Sequence, residues 1–314
     1  METIKRNLGN IFPYVGLILI MTVLGIASGG LLFSTYNIST IIRDATPLLI
    51  VSLGAVFIYS LGAMDISIGS VIGCAGIFAA MVMNVTGSMI LGIVIAVVTT
   101  VVTAGFIGTV SIKFDMMPIM TSVCFMLIGR GVVTLITTIH GGSSYKVNLD
   151  MGIFKSTWMQ IIVIIVMTVI LTCIYKFTRI GKYAKVIGTN RICAQQNGIH
   201  LVKFFVLPFL ILGVTVGIAS IFVLSTTSSI SRSTGTGFEM DVMIALILGG
   251  MPLAGGMKSR ISSAIVGTFS YIILKNGLLL TSFISMDQVD MFKAAIFLVI
   301  IFITCRKKSK VLPI

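Results

Sequence analysis

Side chains able to do covalent or metal chemistry are few in this 314-residue chain, and their spacing suits none of the familiar sites. The two histidines, His140 and His200, are expected in loops on opposite sides of the molecule, so they cannot share one metal ion. No H-E-x-x-H or G-x-S-x-G segment occurs. The five cysteines, Cys74, Cys124, Cys173, Cys193 and Cys305, contain no C-x-x-C pair, which predicts neither a disulfide framework nor a zinc site. There is no G-x-x-x-x-G-K-[ST], and Gly181-Lys182 runs on into Tyr183, so the chain is not expected to hydrolyse ATP itself. No catalytic residue, metal site or cofactor is expected, and the protein is not read as an enzyme.

What remains are three polar segments set between apolar runs. The first is Leu61-Gly62-Ala63-Met64-Asp65-Ile66-Ser67-Ile68-Gly69-Ser70, where Asp65 or Ser67 either caps the next helix or joins a broken-helix site for a hydrophilic solute. The second is the basic stretch from Thr178 to Lys203; within it a helix of about two turns fits between Asn190 as N-cap and Gly198 just past the end. The third runs from Gly235 to Ser259 and is rich in glycine, but no strand precedes it, which argues against a phosphate-binding nucleotide loop.

The elements that must position these segments follow from composition. Hydrophobic residues make up 57% of the chain and charged residues 10%, with a mean hydropathy of +1.13, whereas a soluble domain carries about 25% charged residues. Lipid offers the backbone no hydrogen-bond partner, so spans are helices of about 20 apolar residues or strands of a closed barrel. Stretches such as Ile161 to Ile174 are apolar on every face, which rules out the alternation of barrel strands. The expected fold is all-α, a polytopic transmembrane helical bundle forming a single domain over residues 1–314.

The spans are placed at about Phe12 to Leu32, Pro47 to Gly62, Ser67 to Met83, Met89 to Val110, Met116 to Ile139, Trp158 to Phe177, Phe204 to Leu224, Asp241 to Leu253, Ile261 to Thr281 and Val289 to Cys305. That is about ten crossings, the first read as an uncleaved span. Asp241 to Leu253 is too short to cross unaided and is expected to be broken or re-entrant. Of the 22 Lys and Arg residues, 15 fall in segments on one side, Lys5, Arg6, Lys182, Lys185, Arg191 and Lys258 among them, and five on the other. The positive-inside rule then places both termini in the cytoplasm. The net charge of +13 is therefore read as topology and attraction to anionic lipid, not as nucleic-acid binding. Arg130 and Lys275 fall within spans, and a cation there is expected to face a cavity or a polar partner. A faint repeat relates Leu61-Gly62-Ala63-Met64 to Leu248-Gly249-Gly250-Met251.

Taken together these residues resemble the permeases of ribose/xylose/galactose-type ABC sugar importers, in the branched-chain amino-acid and ribose permease superfamily. Gly62 to Ser70 resembles the family's G-G-I-D-L-S-V-G-S, Arg130-Gly131 its R-G, and Lys275-Asn276-Gly277-Leu278 its N-N-G-L. Gly235 to Ser259 resembles its G-T-G-x-E-x-D…L-G-G-x-x-x-x-G-G-x-x-S. Gly188 to Ile199 corresponds to its G-x-N-x-E-A-A-x-x-x-G-I, with Ile192 where the family commonly has Glu and Cys193 where it has Ala; Ala63 likewise replaces the second Gly of the first motif.

The resemblance implies a permease subunit that passes a monosaccharide, ribose-like or another simple sugar, through the bacterial cytoplasmic (inner) membrane. Its implied partners are cytoplasmic ABC ATPase subunits, an extracytoplasmic sugar-binding protein and a second permease subunit, in a likeness to homodimeric importers. Residues 178–203 form the implied coupling loop, with Gly188, Asn190, Ala194, Gly198 and Ile199 as the ATPase-coupling set. Asp65, Ser67, Arg130 and Asn276 are the implied pathway residues. Competing readings are an ABC permease for another small polar solute, such as a sugar-derived signal, a nucleoside or an amino acid, an ion-coupled secondary transporter, and an intramembrane enzyme.

Overall fold

In the computed structural model the described residues are 2–281, with side chains from Pro13 onward, together with Gln288, Met291, Ala294, Ala295 and Leu298. The helices are α1 (Glu2–Ala27), α2 (Thr35–Ser60), α3 (Ile68–Thr86), α4 (Met89–Lys113), α5 (Pro118–Ile139), α6 (Gly152–Lys155), α7 (Thr157–Phe177), α8 (Arg179–Thr189), α9 (Arg191–Gln196), α10 (Leu201–Thr227), α11 (Phe238–Leu248) and α12 (Ser262–Leu280). Two three-residue strands, β1 (Ser144–Lys146) and β2 (Ser229–Ser231), pair antiparallel. By length and composition seven helices are able to cross a membrane: α2, α3, α4, α5, α7, α10 and α12. In α1 the apolar run is shorter, Pro13–Ala27. The helical-bundle expectation is met. The tenth expected span, Val289 to Cys305, lies almost wholly outside the described residues.

Local chemistry sets the helix ends. The Ser34 hydroxyl accepts the Asn37 N–H at the start of α2, and Pro118 opens α5, where a missing N–H costs nothing. α2 and α11 end alike. In α2 the Ala63 N–H donates to Ile58 O and Gly62 N–H to Tyr59 O; in α11 the Met251 N–H donates to Leu246 O and Gly250 N–H to Ile247 O. Gly62 and Gly250 hold the left-handed φ this closure needs, 72° and 81°. The repeat seen in the sequence is therefore carried by matching helix caps, in a register one residue away from the one suggested by the Leu-Gly pairs.

α2 is the central post. Every residue from Ala45 to Ser60 is buried, with α7, α10, α11 and α12 packed round it. In a membrane small residues let helices approach where lipid gives no hydrophobic drive. Gly213 and Gly217, one turn apart on α10, do this against α4: a Cβ on Gly213 would lie 2.7 Å from Val101 Cα, and one on Gly217 2.6 Å from Val97 Cα.

Two features go beyond the sequence reading. The basic segment after α7 holds two helices, since α8 precedes the expected short helix, and a β-hairpin ties the α5–α6 connection to the chain after α10. α11, 11 residues long, spans only about 16 Å, so the segment expected to be broken is a half-helix. Gly213→Ala is expected to lower stability by about 1–3 kcal/mol through overpacking, read from thermal unfolding of the purified protein. Gly16→Ala, with nothing within 4 Å of its Cβ, is expected to cause no loss.

Candidate functional site

The chain reaches α11 by descending beside α3. Gly69, Gly73 and Gly76 present one glycine face of α3, and β2 with the segment after it lies in it: Ile230 against Gly76, Thr234 O against Gly73, and Gly235 O against Gly69. A Cβ at Gly73 would sit 3.2 Å from Thr234 O, and one at Gly76 2.7 Å from Ile230 Cδ1. Gly235 and Gly237 then turn at φ 76° and 77°, conformations an L side chain would strain, and α11 begins. Irregular backbone of this kind persists at membrane depth only inside protein or beside a watery cavity.

α5 supplies the outer wall. Its 22 residues span about 33 Å, close to the hydrocarbon thickness, and Arg130 lies near their middle. The Arg130 guanidinium donates to Thr236 Oγ1 at 2.8 Å, so the descending segment is fastened to α5. About two turns further along α5, Arg232 Nη2 donates to Thr138 Oγ1 at 3.0 Å. Beside Arg130, Gly131 and Thr134 are exposed, and a Cβ on Gly131 would meet nothing within 4 Å. An arginine at mid-helix costs about 2.5–3.5 kcal/mol against lipid even on the mildest scale. This strip is therefore the face of the bundle suited to water or to another polar protein surface.

Behind the wall stand two acids in the first turn of α11, where the helix dipole favours negative charge. Tyr271 Oη donates to Asp241 Oδ1 at 2.6 Å, binding α11 to α12. Glu239 points its Oε2 at Gly69 and leaves it buried with no hydrogen-bond partner among the described residues. A buried orphan acceptor costs about 1–3 kcal/mol.

Of the expected pathway residues, Asp65 and Ser67 are adjacent but closed in. Ser67 donates to Asp65 Oδ1 through both its N–H, 2.8 Å, and its hydroxyl, 2.6 Å, and the Ile66 N–H donates to Ser122 Oγ of α5 at 3.1 Å. Asp65 thus orders the turn that enters α3, at which Ser67 is the N-cap residue and makes no side-chain cap hydrogen bond. The cavity it shares with Ser67, Thr100, Thr103 and Leu212 is about 10 Å³, room for about one water and far too little for a sugar. Asn276 is buried elsewhere, on α12, with Nδ2 unpartnered and its neighbour Gly277 against Leu24 of α1. No hydrogen bond among the described residues joins it to Arg130 or Asp65. Thr134, Thr236 and Glu239 had no place in the expected set; Thr134, four residues from Arg130, was open to helical spacing, whereas the other two needed the fold to bring the segment before α11 to α5 and the first turn of α11 to α3.

At the other end lies the expected coupling segment. Asn190 Oδ1 accepts the Cys193 N–H at 3.0 Å and caps α9. Gly198, at φ 76°, closes it, with the Ile199 N–H donating to Ala194 O at 3.1 Å. Ala194 is fully buried and faces its own chain, while Ile192 stands 68% exposed; α9 therefore seats itself through Ala194 and offers its other face outward. Arg191 pairs with Asp115 of the α4–α5 turn at 2.8 Å. Gly188 packs directly on Ser60 O, which also accepts the Gly256 N–H at 3.0 Å, and Thr189 Oγ1 accepts the Met257 N–H at 3.2 Å. The end of α8, just before α9, is thus packed on the last residue of α2, five residues before Asp65.

A helical bundle with a glycine-floored polar wall at mid-depth and a capped surface helix has the architecture of a membrane permease. Residues 37–304 match the family described as branched-chain amino acid transport system / permease component, and the chain belongs to that family. It is similar to the ribose import permease protein RbsC of Haemophilus influenzae, 27% identical over 276 residues and covering 84% of each chain. It is also similar to the L-arabinose transport system permease protein AraH of Escherichia coli, 26% over 314 residues, 97% of this chain and 94% of that protein. The fructose import permease protein FruF of Bifidobacterium longum is 26% identical over 277 residues, 83% of this chain and 75% of that protein. The resemblance carried by the sequence motifs holds at the level of the family, and the chain is a multi-pass protein of the inner membrane.

Removing the α9 cap isolates its local role. Asn190→Ala is expected to cost the helix about 0.5–2 kcal/mol and to speed amide exchange across residues 191–196, measured by mass spectrometry, with exchange in α10 unchanged.

Proposed function

We propose that this chain is the permease subunit of an ABC importer that moves a monosaccharide inward, powered by ATP hydrolysed on a partner subunit. The observation that carries the reading is the Arg130–Thr236 hydrogen bond at mid-helix on α5, beside the exposed Gly131 and Thr134 on a face otherwise lined by apolar Leu127, Ile128 and Leu135. Neutral sugars need hydrogen-bond groups that hold them briefly, and such a strip offers them without a strong charge trap. The names of the similar proteins, ribose, L-arabinose and fructose permeases, support a simple sugar as cargo.

In this reading the chain is one transmembrane domain of ten crossings with both termini in the cytoplasm, and residues 178–203 are its coupling loop. A second permease copy faces the α5 strip and closes the route. A sugar-binding protein delivers cargo at the outer side, and two ATPase subunits dock below. Gly188, Asn190, Ala194, Gly198 and Ile199 build the docking helix rather than touch the cargo. ATPase closure pushes α9, and the push reaches the α2–α3 turn through Ser60 and the α4–α5 turn through Asp115. Asp65 and Ser67 keep that turn rigid, Arg130 and Thr236 move as one unit with α11, and Asn276 shapes the α1–α12 seam. The chain forms no covalent intermediate; it supplies the route.

The test is uptake of radiolabelled sugars into proteoliposomes holding the permease with its ATPase and binding protein. Uptake is expected to need ATP hydrolysis and to persist when ionophores collapse ion gradients. Ala194→Asp is expected to abolish uptake while ATP hydrolysis continues, and Arg130→Leu to cut uptake at least tenfold at equal membrane abundance. Uptake by the permease alone, or uptake that follows an ion gradient, contradicts the proposal.

A further inference from the structure

The cytoplasmic face carries a second group of cations that the docking helix does not use. Lys185 of α8 is half-buried with its Nζ 4.5 Å from the centroid of the Tyr175 ring. Tyr175 Oη lies 2.7 Å from Ser60 Oγ, at the last residue of α2. Arg260, at the end of the glycine loop, is near enough that its charge, after burial, lowers the Lys185 pKa below the ordinary lysine value. Lys258 is exposed beside it, and between them Ser259 is buried with its hydroxyl unpartnered. Among the described residues no carboxylate pairs with any of these cations, because Asp115 is taken by Arg191. Like charges gathered without a counterion call for an anionic partner.

Position decides which anion. α2 is ringed by α7, α10, α11 and α12, so a group under its last residue lies at the middle of the underside. Lipid headgroups collect round the perimeter of a bundle. The glycine loop is also hydrogen-bonded to the docking element, Met257 N–H to Thr189 Oγ1. Whatever seats α9 comes to rest beside Arg260.

Resting on the permease reading above, we propose that Lys185, Lys258 and Arg260 form a second foothold for the ATPase, receiving carboxylates of that subunit while α9 offers it an apolar contact through Ile192. The partner's surface then has two parts of different chemistry: an apolar pocket for Ile192, which stands where a family glutamate would be charged, and an acidic rim for the foothold. The foothold steers and orients docking, and its strength falls with salt.

The experiment measures binding of the purified ATPase encoded with this permease to the full chain in nanodiscs of zwitterionic lipid, at low and high salt. Arg260→Glu and Lys185→Glu are each expected to weaken binding roughly tenfold at low salt and to flatten its salt dependence. Arg260→Gln is expected to give an intermediate loss, which separates lost charge from misfolding, and Lys146→Glu on the opposite side no change. Unaltered binding by both reversals, while Ala194→Asp still abolishes it, overturns the foothold alone. An effect seen only in discs of anionic lipid also overturns it and assigns the cations to headgroups. Failure of the unsubstituted chain to bind the ATPase at all overturns the permease reading and the foothold with it.

Discussion

The structure depends on a constraint of solvation: backbone and guanidinium groups carried into hydrocarbon need partners within the protein. The glycine face of α3 meets it. Because Gly69, Gly73 and Gly76 lack side chains, an irregular segment lies flush against the helix, and Thr234 O and Gly235 O are sheltered there. Arg130 then closes the outer side of the same segment through Thr236. Remove the glycine face and the segment swings toward lipid; remove the arginine and its outer edge loses its anchor. The half-helix α11 exists because this arrangement lets a helix start at mid-depth.

The end of the bundle that carries α9 is built from contacts with little slack. Gly188 on Ser60, and Gly255 folded against Tyr59 O and Gly62, place backbone on backbone. Such contacts have no rotamers to absorb displacement, so the end of α8 and the α2–α3 turn are held in close register. The Arg191–Asp115 pair is solvent-exposed, and pairs of that kind contribute about 0–1 kcal/mol. It guides α9 more than it holds it.

The bundle was legible in the sequence because long stretches such as Ile161 to Ile174 are apolar on every face, and a helix is the only span that such a pattern fits. The α9 cap was legible too: Asn190 and Gly198 act through local backbone geometry, and local signals survive without tertiary context. What stayed hidden depended on contacts distant in sequence. Asp65 could be read as a cap or as a pathway group, and the sequence could not show that both the N–H and the hydroxyl of Ser67 turn back onto its carboxylate. Thr236 and Glu239 gain their roles from α5 and α3, more than a hundred residues away. Asn276 sat in a recognisable motif, yet its place on α12 beside α1 separates it from the polar wall. α8 was read as loop because its charges obscured an amphipathic helix.

The central claim is that the α5 strip faces water rather than lipid when the protein is assembled in a membrane. Single cysteines at Gly131 and Thr134, and at Ile165 and Val169 on the exposed face of α7, placed in a background without the native cysteines, report this directly through a membrane-impermeant thiol reagent. The account expects modification at Gly131 and Thr134, slowed by the transported sugar, and none at Ile165 or Val169. Equal protection of all four positions, or labelling of the α7 pair alone, would contradict it.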